Sequence, residues 1–290
     1  MLKLNEIKQE EDLYLLLSWI TDSCDQELSQ QISNRGILKV FSAITNSKYL
    51  RRLKEIESIN ELKEILEASK ISYISKIDPN WPKQLLDLRQ IEPIGLFYKG
   101  NFEFINNKSI AIVGTRKSSS EGNMISTEIA FDLARSGLNI ISGGAIGIDN
   151  AAHQGALIAN GVTISIQAAG LNKLYPSKNN ETFNKIIKTG IMISEYPPNR
   201  ISSKINFLHR NRLIAALSIG TIVIEAGKVS GALSTARYAT KLNRILMAIP
   251  GSILSKSSIG TNDLIRNREA ELVIDVKQIL NLISPIGVDA

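Results

Sequence analysis

Cysteine and histidine are both scarce in this 290-residue sequence. Cys24 is the single cysteine, so no intrachain disulfide and no cluster of thiolate metal ligands can form. The two histidines, His153 and His209, are too few for a histidine-rich zinc or iron site. We therefore expect neither a metal ion nor a cofactor.

Long apolar runs are also missing. No stretch approaches the roughly 20 apolar residues that a membrane-spanning helix needs. The N-terminus carries charges from Lys3 to Lys8, where a secretory signal peptide would have an apolar core. We expect a cytoplasmic protein that does not associate with membranes.

Basic and acidic residues are unevenly distributed along the chain. Residues 1–75 contain 10 Lys and Arg against 12 Asp and Glu, whereas residues 76–290 contain 24 against 16. The larger C-terminal part is therefore the basic one, which favours a polyanionic partner. A generally basic proteome would give the same bias.

Apolar spacing divides the chain into three parts. Residues 1–72 have helical periodicity without proline and predict a small helical domain. Residues 73–107 contain three prolines and predict a connector of extended and turn structure that packs on the next domain, with Trp81 and Phe97 as core anchors.

Residues 108–290 alternate short Ile/Val-rich runs with amphipathic segments. This pattern predicts an α/β domain whose mainly parallel, doubly wound sheet is buried on both faces, a Rossmann-like fold. The predicted strands are 109–114, 138–144, 162–170, 191–196, 220–226 and 244–251.

Glycine-rich loops follow several of these strands, and SGGAIGID (142–149) has the most glycines. Backbone N–H groups at such turns form anion sites, although each glycine would also suit a plain tight turn. The dinucleotide fingerprint GxGxxG fails because Ala145 and Ile148 occupy the second and third glycine positions counted from Gly143. A Walker phosphate loop fails as well, since Arg116 precedes Lys117 where glycine is required.

Three acidic residues lie at the predicted strand ends. Asp149, Glu195 and Glu225 would suit Mg²⁺ in a nuclease, but they lie on separate loops. Capping of a turn by Asp149, and pairing of Glu195 and Glu225 with nearby arginines, is the alternative interpretation.

A basic segment separates Glu195 from Glu225 and contains no acidic residue. Its motif FLHRNR (207–212) combines Phe207 with Arg210 and Arg212, residue types that stack on bases and bind phosphate oxygens. Helical geometry separates the two arginines, so one of them is a candidate for a structural pair with Glu195 or Glu225. Arg116 and Lys117 are expected to face the same crevice.

Taken together, these motifs resemble the DprA/Smf family of bacterial DNA-processing proteins. The resemblance rests on the following segments, in order: DPNWPKQLL (78–86), PIGLFYKG (93–100), AIVGTR (111–116), SGGAIGID (142–149), SEYPP (194–198), FLHRNRLIAALS (207–218) and GTNDLI (260–265). It implies a protein without known catalysis that binds single-stranded DNA, protects incoming DNA and helps to load the RecA recombinase during natural transformation. It also implies a homodimer formed through the Rossmann domain, and a SAM-like or helix-hairpin-helix-like N-terminal domain.

The resemblance assigns the DNA-binding residues as well. Arg116 and Lys204 become the main phosphate contacts, and Lys117 and Phe207 stay candidates from their residue types and positions alone. Arg210 and Arg212 become further members, and three glycines shape the pocket wall: Gly143, Gly144 and Gly147.

Two departures and two rival functions qualify this interpretation. Many members carry a C-terminal winged-helix domain, which we do not expect within these 290 residues, and RNREA (266–270) replaces a usual glycine-alanine pair. A nucleotide phosphoribohydrolase on a related scaffold would need PGGxGTxxE, where this chain has EAGKVSGALSTAR. A nucleotide-binding sensor without catalysis stays open.

Overall fold

A nine-stranded sheet organises the computed structural model, which describes residue 7 and residues 9–44 and 49–284. Its strand order is β1-β2-β6-β5-β4-β3-β7-β8-β9. Strands β3 to β9 run parallel, while β1 and β2 are antiparallel to their neighbours. The predicted Rossmann-like α/β fold is therefore confirmed. The strands are β1 Ser72–Ser75, β2 Gly95–Gly100, β3 Ser109–Val113, β4 Asn139–Ser142, β5 Thr163–Gln167, β6 Ile191–Ser194, β7 Gly220–Val223, β8 Ile245–Ala248 and β9 Glu271–Leu272.

Helices cover both faces of the sheet, and every residue of the central strands β3 to β7 is buried. In β3, Ala111 and Val113 pack with α9 and α10, whereas Ile110 and Ile112 face the opposite layer of α6, α7 and α12. The helices of this domain are α6 Ser120–Arg135, α7 Ile148–Ile158, α8 Asn180–Thr189, α9 Lys204–Ala216, α10 Gly231–Lys241, α11 Ile259–Arg266 and α12 Val276–Ile283. None of the helices in the described ranges is long and apolar enough to cross a membrane.

Among the described residues, five further helices precede the sheet, and their core is continuous with it. Leu16 and Leu17 of α1 belong to the same apolar cluster as Phe97 of β2 and Phe183 of α8. A division of the chain at residue 72 stays a prediction. These helices are α1 Glu10–Ile20, α2 Gln26–Arg35, α3 Ile37–Ile44, α4 Leu50–Lys54 and α5 Ile59–Ala68.

The proline-containing connector joins the sheet instead of merely lying against it. Its residues form β1, a 3₁₀ segment at Lys83–Ile91, and β2, which pairs with β6. Trp81 and Phe97 are buried, as core anchors should be.

His153 lies in the core between α7 and β5. The Thr163 hydroxyl donates to the carbonyl of Ile140 over 2.8 Å, so His153 Nδ1 must donate to Thr163 Oγ1 over 2.7 Å. Nε2 is then an unprotonated acceptor, buried and without a hydrogen-bond partner in the described part of the chain. Burial, aided by the charge of Arg210, lowers the pKa of His153 from its usual 6.5 to about 3.

Acid should therefore destabilise the fold through His153. Below pH 6.5 His153 is protonated in the unfolded chain but stays neutral in the folded protein, so the free energy of unfolding decreases as the pH falls. We expect a loss of about 2 kcal/mol between about pH 7.5 and about pH 5 from this residue. Urea unfolding at both pH values measures it, and His153→Asn, whose amide can still donate to Thr163, should flatten the dependence by that amount. An unchanged pH slope in the variant would contradict the assignment.

Candidate nucleic-acid interface

A cleft of about 660 Å³ opens at the carboxyl edge of the sheet, above the boundary between β3 and β7. Strands β4 to β6 extend from β3 in one direction, and β8 and β9 extend from β7 in the other. The loops leaving β3 and β7 therefore diverge at this boundary, which is where open α/β sheets bind ligands. Thr115, Ala145, Ser202 and Val229 line the cleft from four different loops.

Two exposed cations and an aromatic ring stand in this cleft. The Arg116 guanidinium carbon lies 4.6 Å from the centre of the Phe207 ring, so the aromatic face orients the arginine. Lys204 is the first residue of α9, one turn before Phe207. The structure therefore brings together Arg116, Lys204 and Phe207, which the sequence assigned to one site.

Two helix N-termini also point into the cleft. Ser203 caps α9 and Ser230 caps α10, each side chain accepting one backbone N–H of its helix. The N–H groups at the first position of each helix, those of Lys204 and Gly231, have no partner within the helix, and the helix dipoles add positive potential. An anion in the cleft thus meets backbone donors as well as Arg116 and Lys204.

Arg210 forms the floor of the cleft and does not project into it. It is 4% exposed, and its Nη1 donates to the Gly143 carbonyl over 2.8 Å and to the Ile166 carbonyl. Burial lowers its pKa to about 10, which leaves it charged at neutral pH. Burial also raises the pKa of Asp149, an effect that the charge of Arg210 opposes. Arg210 therefore ties the glycine loop to the end of β5.

The three glycines act through their backbone, and none of them lines the cleft directly. A Cβ on Gly143 would lie 2.6 Å from the Arg210 guanidinium, and one on Gly147 would lie 2.6 Å from the Thr115 carbonyl. Gly144 and Gly147 have φ values of 68° and 83°, which larger residues rarely adopt. They allow the loop to pack against Arg210 and against the loop that carries Arg116.

Arg212 lies away from the cleft, contrary to its assignment as a DNA contact. It is 0% exposed, its Nη2 donates to Glu195 Oε1 over 2.6 Å, and Nε donates to the Ile91 carbonyl over 2.7 Å. A guanidinium with every nitrogen engaged in the core cannot reach a phosphate, so Arg212, like Arg210, has a structural role, whereas the sequence predicted one structural arginine. Lys117 is exposed but does not line the cleft, and its role stays a prediction.

The acidic residues at the strand ends have separate partners. Glu195 pairs with Arg212, and Glu225 accepts hydrogen bonds from the hydroxyls of Ser119 and Ser257. Within residues 9–44 and 49–284, no three His, Cys, Asp or Glu side chains form a group suited to a metal ion. The nuclease interpretation thus has no support from their arrangement.

Several residues at the cleft were missed by sequence reasoning. Tyr175 is 51% exposed and meets the edge of Phe207 at 6.0 Å between ring centres. Asn211 donates to the Gly231 carbonyl, and Val229 is 98% exposed at the rim. The adjacency of Asn211 to Arg210 was a usable signal, whereas Tyr175 comes from a loop whose path depends on the fold.

The helical N-terminal part also reaches α9. The Ser23 hydroxyl lies 2.9 Å from His209 Nδ1 and 2.9 Å from the Tyr196 hydroxyl. Arg200 donates to the Trp19 carbonyl over 3.3 Å. The start of α9, with Lys204 and Phe207, is therefore braced from outside the sheet.

Comparisons with known proteins agree with this architecture. The family model described as DNA recombination-mediator protein A matches residues 72–284. The DNA processing protein DprA of Streptococcus pneumoniae is 38% identical over 206 residues, 71% of this chain and 72% of that protein. The matched region spans about half the length of other relatives, 46% of one from Mycobacterium tuberculosis and 53% of protein Smf from Synechocystis.

Solved structures give the same relationship. The S. pneumoniae DprA structure superposes with a TM-score of 0.80 at 32% identity and covers 95% of this chain and 98% of its own. DNA processing protein A from Helicobacter pylori, solved for its single-stranded DNA binding mode, gives 0.68 at 30% identity, covering 75% of this chain and 97% of its own. With its cleft, its motifs and a family match over most of its length, the chain belongs to the DNA recombination-mediator protein A family, the DprA/Smf family.

Proposed function

We propose that this protein binds single-stranded DNA in the cleft at the carboxyl edge of its sheet. The observation that carries the proposal is that Arg116, stacked on Phe207, and Lys204 line the same cleft, between two helix N-termini. Cations and backbone donors suit phosphates, and the exposed Tyr175 ring suits a base. The single-stranded DNA binding mode described for the H. pylori relative supports the same substrate class.

Fluorescence anisotropy of labelled oligo-dT tests this proposal directly. Matched duplex and free AMP serve as competitors, at about 50 mM and about 200 mM salt. We expect the single strand to bind in preference to the duplex, and its affinity to fall steeply with salt because phosphate contacts release counterions. Strong competition by AMP without binding of the oligonucleotide would instead support the nucleotide-binding rival.

The same proposal treats the protein as a binding protein and not an enzyme. Asp149 reaches the floor of the cleft but is 7% exposed and accepts a hydrogen bond from the Ala145 N–H, and Glu225 is held by two serine hydroxyls, so both carboxylates already have partners in the protein. Incubation of labelled oligonucleotide with Mg²⁺ should return it uncleaved.

Within the cell, this binding would serve recombination. We propose that the protein protects incoming single strands in the cytoplasm and helps to load RecA on them during natural transformation. The family description as a recombination mediator supports this role. RecA-dependent strand pairing should increase when the protein is added and should not increase with an Arg116→Glu variant.

A homodimer through the Rossmann domain is part of the proposal. Leu272 and Ile274 at the edge strand β9 are exposed, as are Ile253 and Leu254 in the loop after the neighbouring strand β8. Such an apolar edge suits burial against a second copy. Sedimentation of wild type and Leu272→Arg tests it, and an unchanged mass would place any dimer elsewhere.

A further inference from the structure

A second groove, of about 840 Å³, lies on the α9–α10 face of the sheet. Its walls come from the loop after α1, the 3₁₀ segment, α9 and the end of α10. Cationic side chains predominate: Arg89, Lys241 and Arg244, with Asp87 as the single acidic residue among those that line it. Arg244 already neutralises Asp87 through a 2.6 Å contact. The groove thus presents unpaired positive charge to solvent.

The groove also has an aromatic platform and a strained backbone. The Lys241 ammonium lies 5.9 Å from the centre of the Tyr238 ring. Arg89 has φ 52° and ψ −118°, and Cys24 and Asn243, which line the same groove, also have positive φ. Non-glycine residues in such conformations are costly and concentrate at functional sites. An anion carrying a flat ring is the ligand that this combination fits.

Helix α10 connects the groove to the cleft. Ser230, Gly231 and Thr235 line the cleft, while Tyr238 and Lys241 line the groove. Ser234 lies three and four residues before Arg237 and Tyr238, and Lys241 lies four and three residues after them, so the four side chains share one exposed to half-exposed side of the helix. From Ser234 to Lys241 this stripe runs for about 10 Å.

No acidic residue interrupts this route. From residue 226 to residue 262 the sequence contains five Lys and Arg and no Asp or Glu. A strand leaving the cleft at the α10 N-terminus therefore meets only neutral or positive side chains of this helix on its way to the groove. An acidic protein segment would satisfy the charge but would not need continuity with the cleft.

We propose that single-stranded DNA held in the cleft continues along the exposed face of α10 into a second phosphate-binding groove formed by Arg89, Tyr238 and Lys241. The inference rests on the proposed function, since the cleft is its starting point. It assigns Arg237 and Lys241 to phosphates and Tyr238 to base stacking, at positions that do not line the cleft.

Oligomer length separates the two sites. We compare oligo-dT of about 4 and about 16 nucleotides, the limits of common single-strand site sizes, on wild type and on an Arg237→Gln/Lys241→Gln variant. The variant should bind the long oligomer about tenfold more weakly, with a salt slope smaller by about 1.4, and the short oligomer as wild type does. The matched control is Arg135→Gln/Lys188→Gln, which removes two exposed cations at the ends of α6 and α8, on the opposite face of the sheet.

Each outcome decides the inference. Equal weakening of both oligomers would show that Arg237 and Lys241 act through a general electrostatic field, and unchanged binding of both would show that the α10 face does not hold the strand; either overturns the proposal. Cleft variants keep the proposed function separate, because Arg116→Glu should weaken both lengths. If Arg116→Glu binds both oligomers like wild type, the assignment of the cleft as the DNA-binding site is wrong.

Discussion

An Arg116→Glu/Lys204→Glu variant should lose at least about 100-fold in affinity for any single-stranded sequence. Each charge-assisted hydrogen bond to phosphate contributes about 1.5–3 kcal/mol, and each reversal adds repulsion to that loss. Binding should weaken alike on oligo-dT and on mixed sequences, because phosphate contacts do not read bases. Anisotropy titrations on both oligonucleotides measure this.

The stability of the Lys204→Glu variant distinguishes the loss of a DNA contact from damage to the fold. A lysine in the first turn of α9 has the unfavourable sign for the helix dipole, so glutamate there should stabilise the fold by about 0.3–1 kcal/mol. Binding would fall while the free energy of unfolding rises, a combination that damaged folding cannot produce. Arg135→Glu/Lys188→Glu changes the net charge equally at the opposite edge of the sheet and should keep most of the affinity. Equal losses in both double variants would remove the cleft as the binding site.

Arg212→Leu should be the most destabilising single change, at about 3–5 kcal/mol, because it leaves the Glu195 carboxylate without its cation. Glu195 Oε2 already has no hydrogen-bond partner among the described residues, so the ion pair with Oε1 is its main compensation. The Ile91 carbonyl would also lose its donor. Urea unfolding measures the change in free energy.

A second substitution tests the cause of that loss. Glu195→Gln in the Arg212→Leu background removes the stranded charge and should restore about half of the lost stability. The Arg212→Lys variant should be less stable than wild type, since one ammonium cannot reach Glu195 and the two carbonyls together. If Arg212→Leu unfolds like wild type but loses DNA affinity, Arg212 is a DNA contact after all.

The strands were predictable where burial is complete on both sides. Strands β3 to β8 are short, buried and contain Ile or Val, and all six lie where the sequence predicts them. Strands β1 and β2 were not predicted as strands because prolines lie between and beside them, and pairing with β6 decides their structure. β9 has two residues, too few for a periodic signal.

The site was predictable in its cations and less so in its arginine pair. Arg116 and Lys204 stand at a strand end and a helix start, so topology alone places them at one edge. Which of Arg210 and Arg212 turns inward depends on what packs against α9, and the Ile91 carbonyl that holds Arg212 lies 121 residues away in sequence. Both are in fact buried, Arg210 under the glycine loop and Arg212 beside Glu195. The spacing of residues along the sequence does not indicate which backbone carbonyls accept hydrogen bonds from Arg210 and Arg212.

The cleft at the boundary of β3 and β7 has a consequence for folding. Its walls come from loops spread between Val113 and Thr235, and they meet only when β3 has paired with both β4 and β7. Contacts between residues so distant in sequence form late and slowly, because the chain loses entropy in closing long loops before those contacts stabilise it. DNA affinity should therefore appear only in the last step of refolding. Bound DNA, by selecting that final state, should raise the apparent stability of the whole sheet in proportion to the logarithm of its concentration.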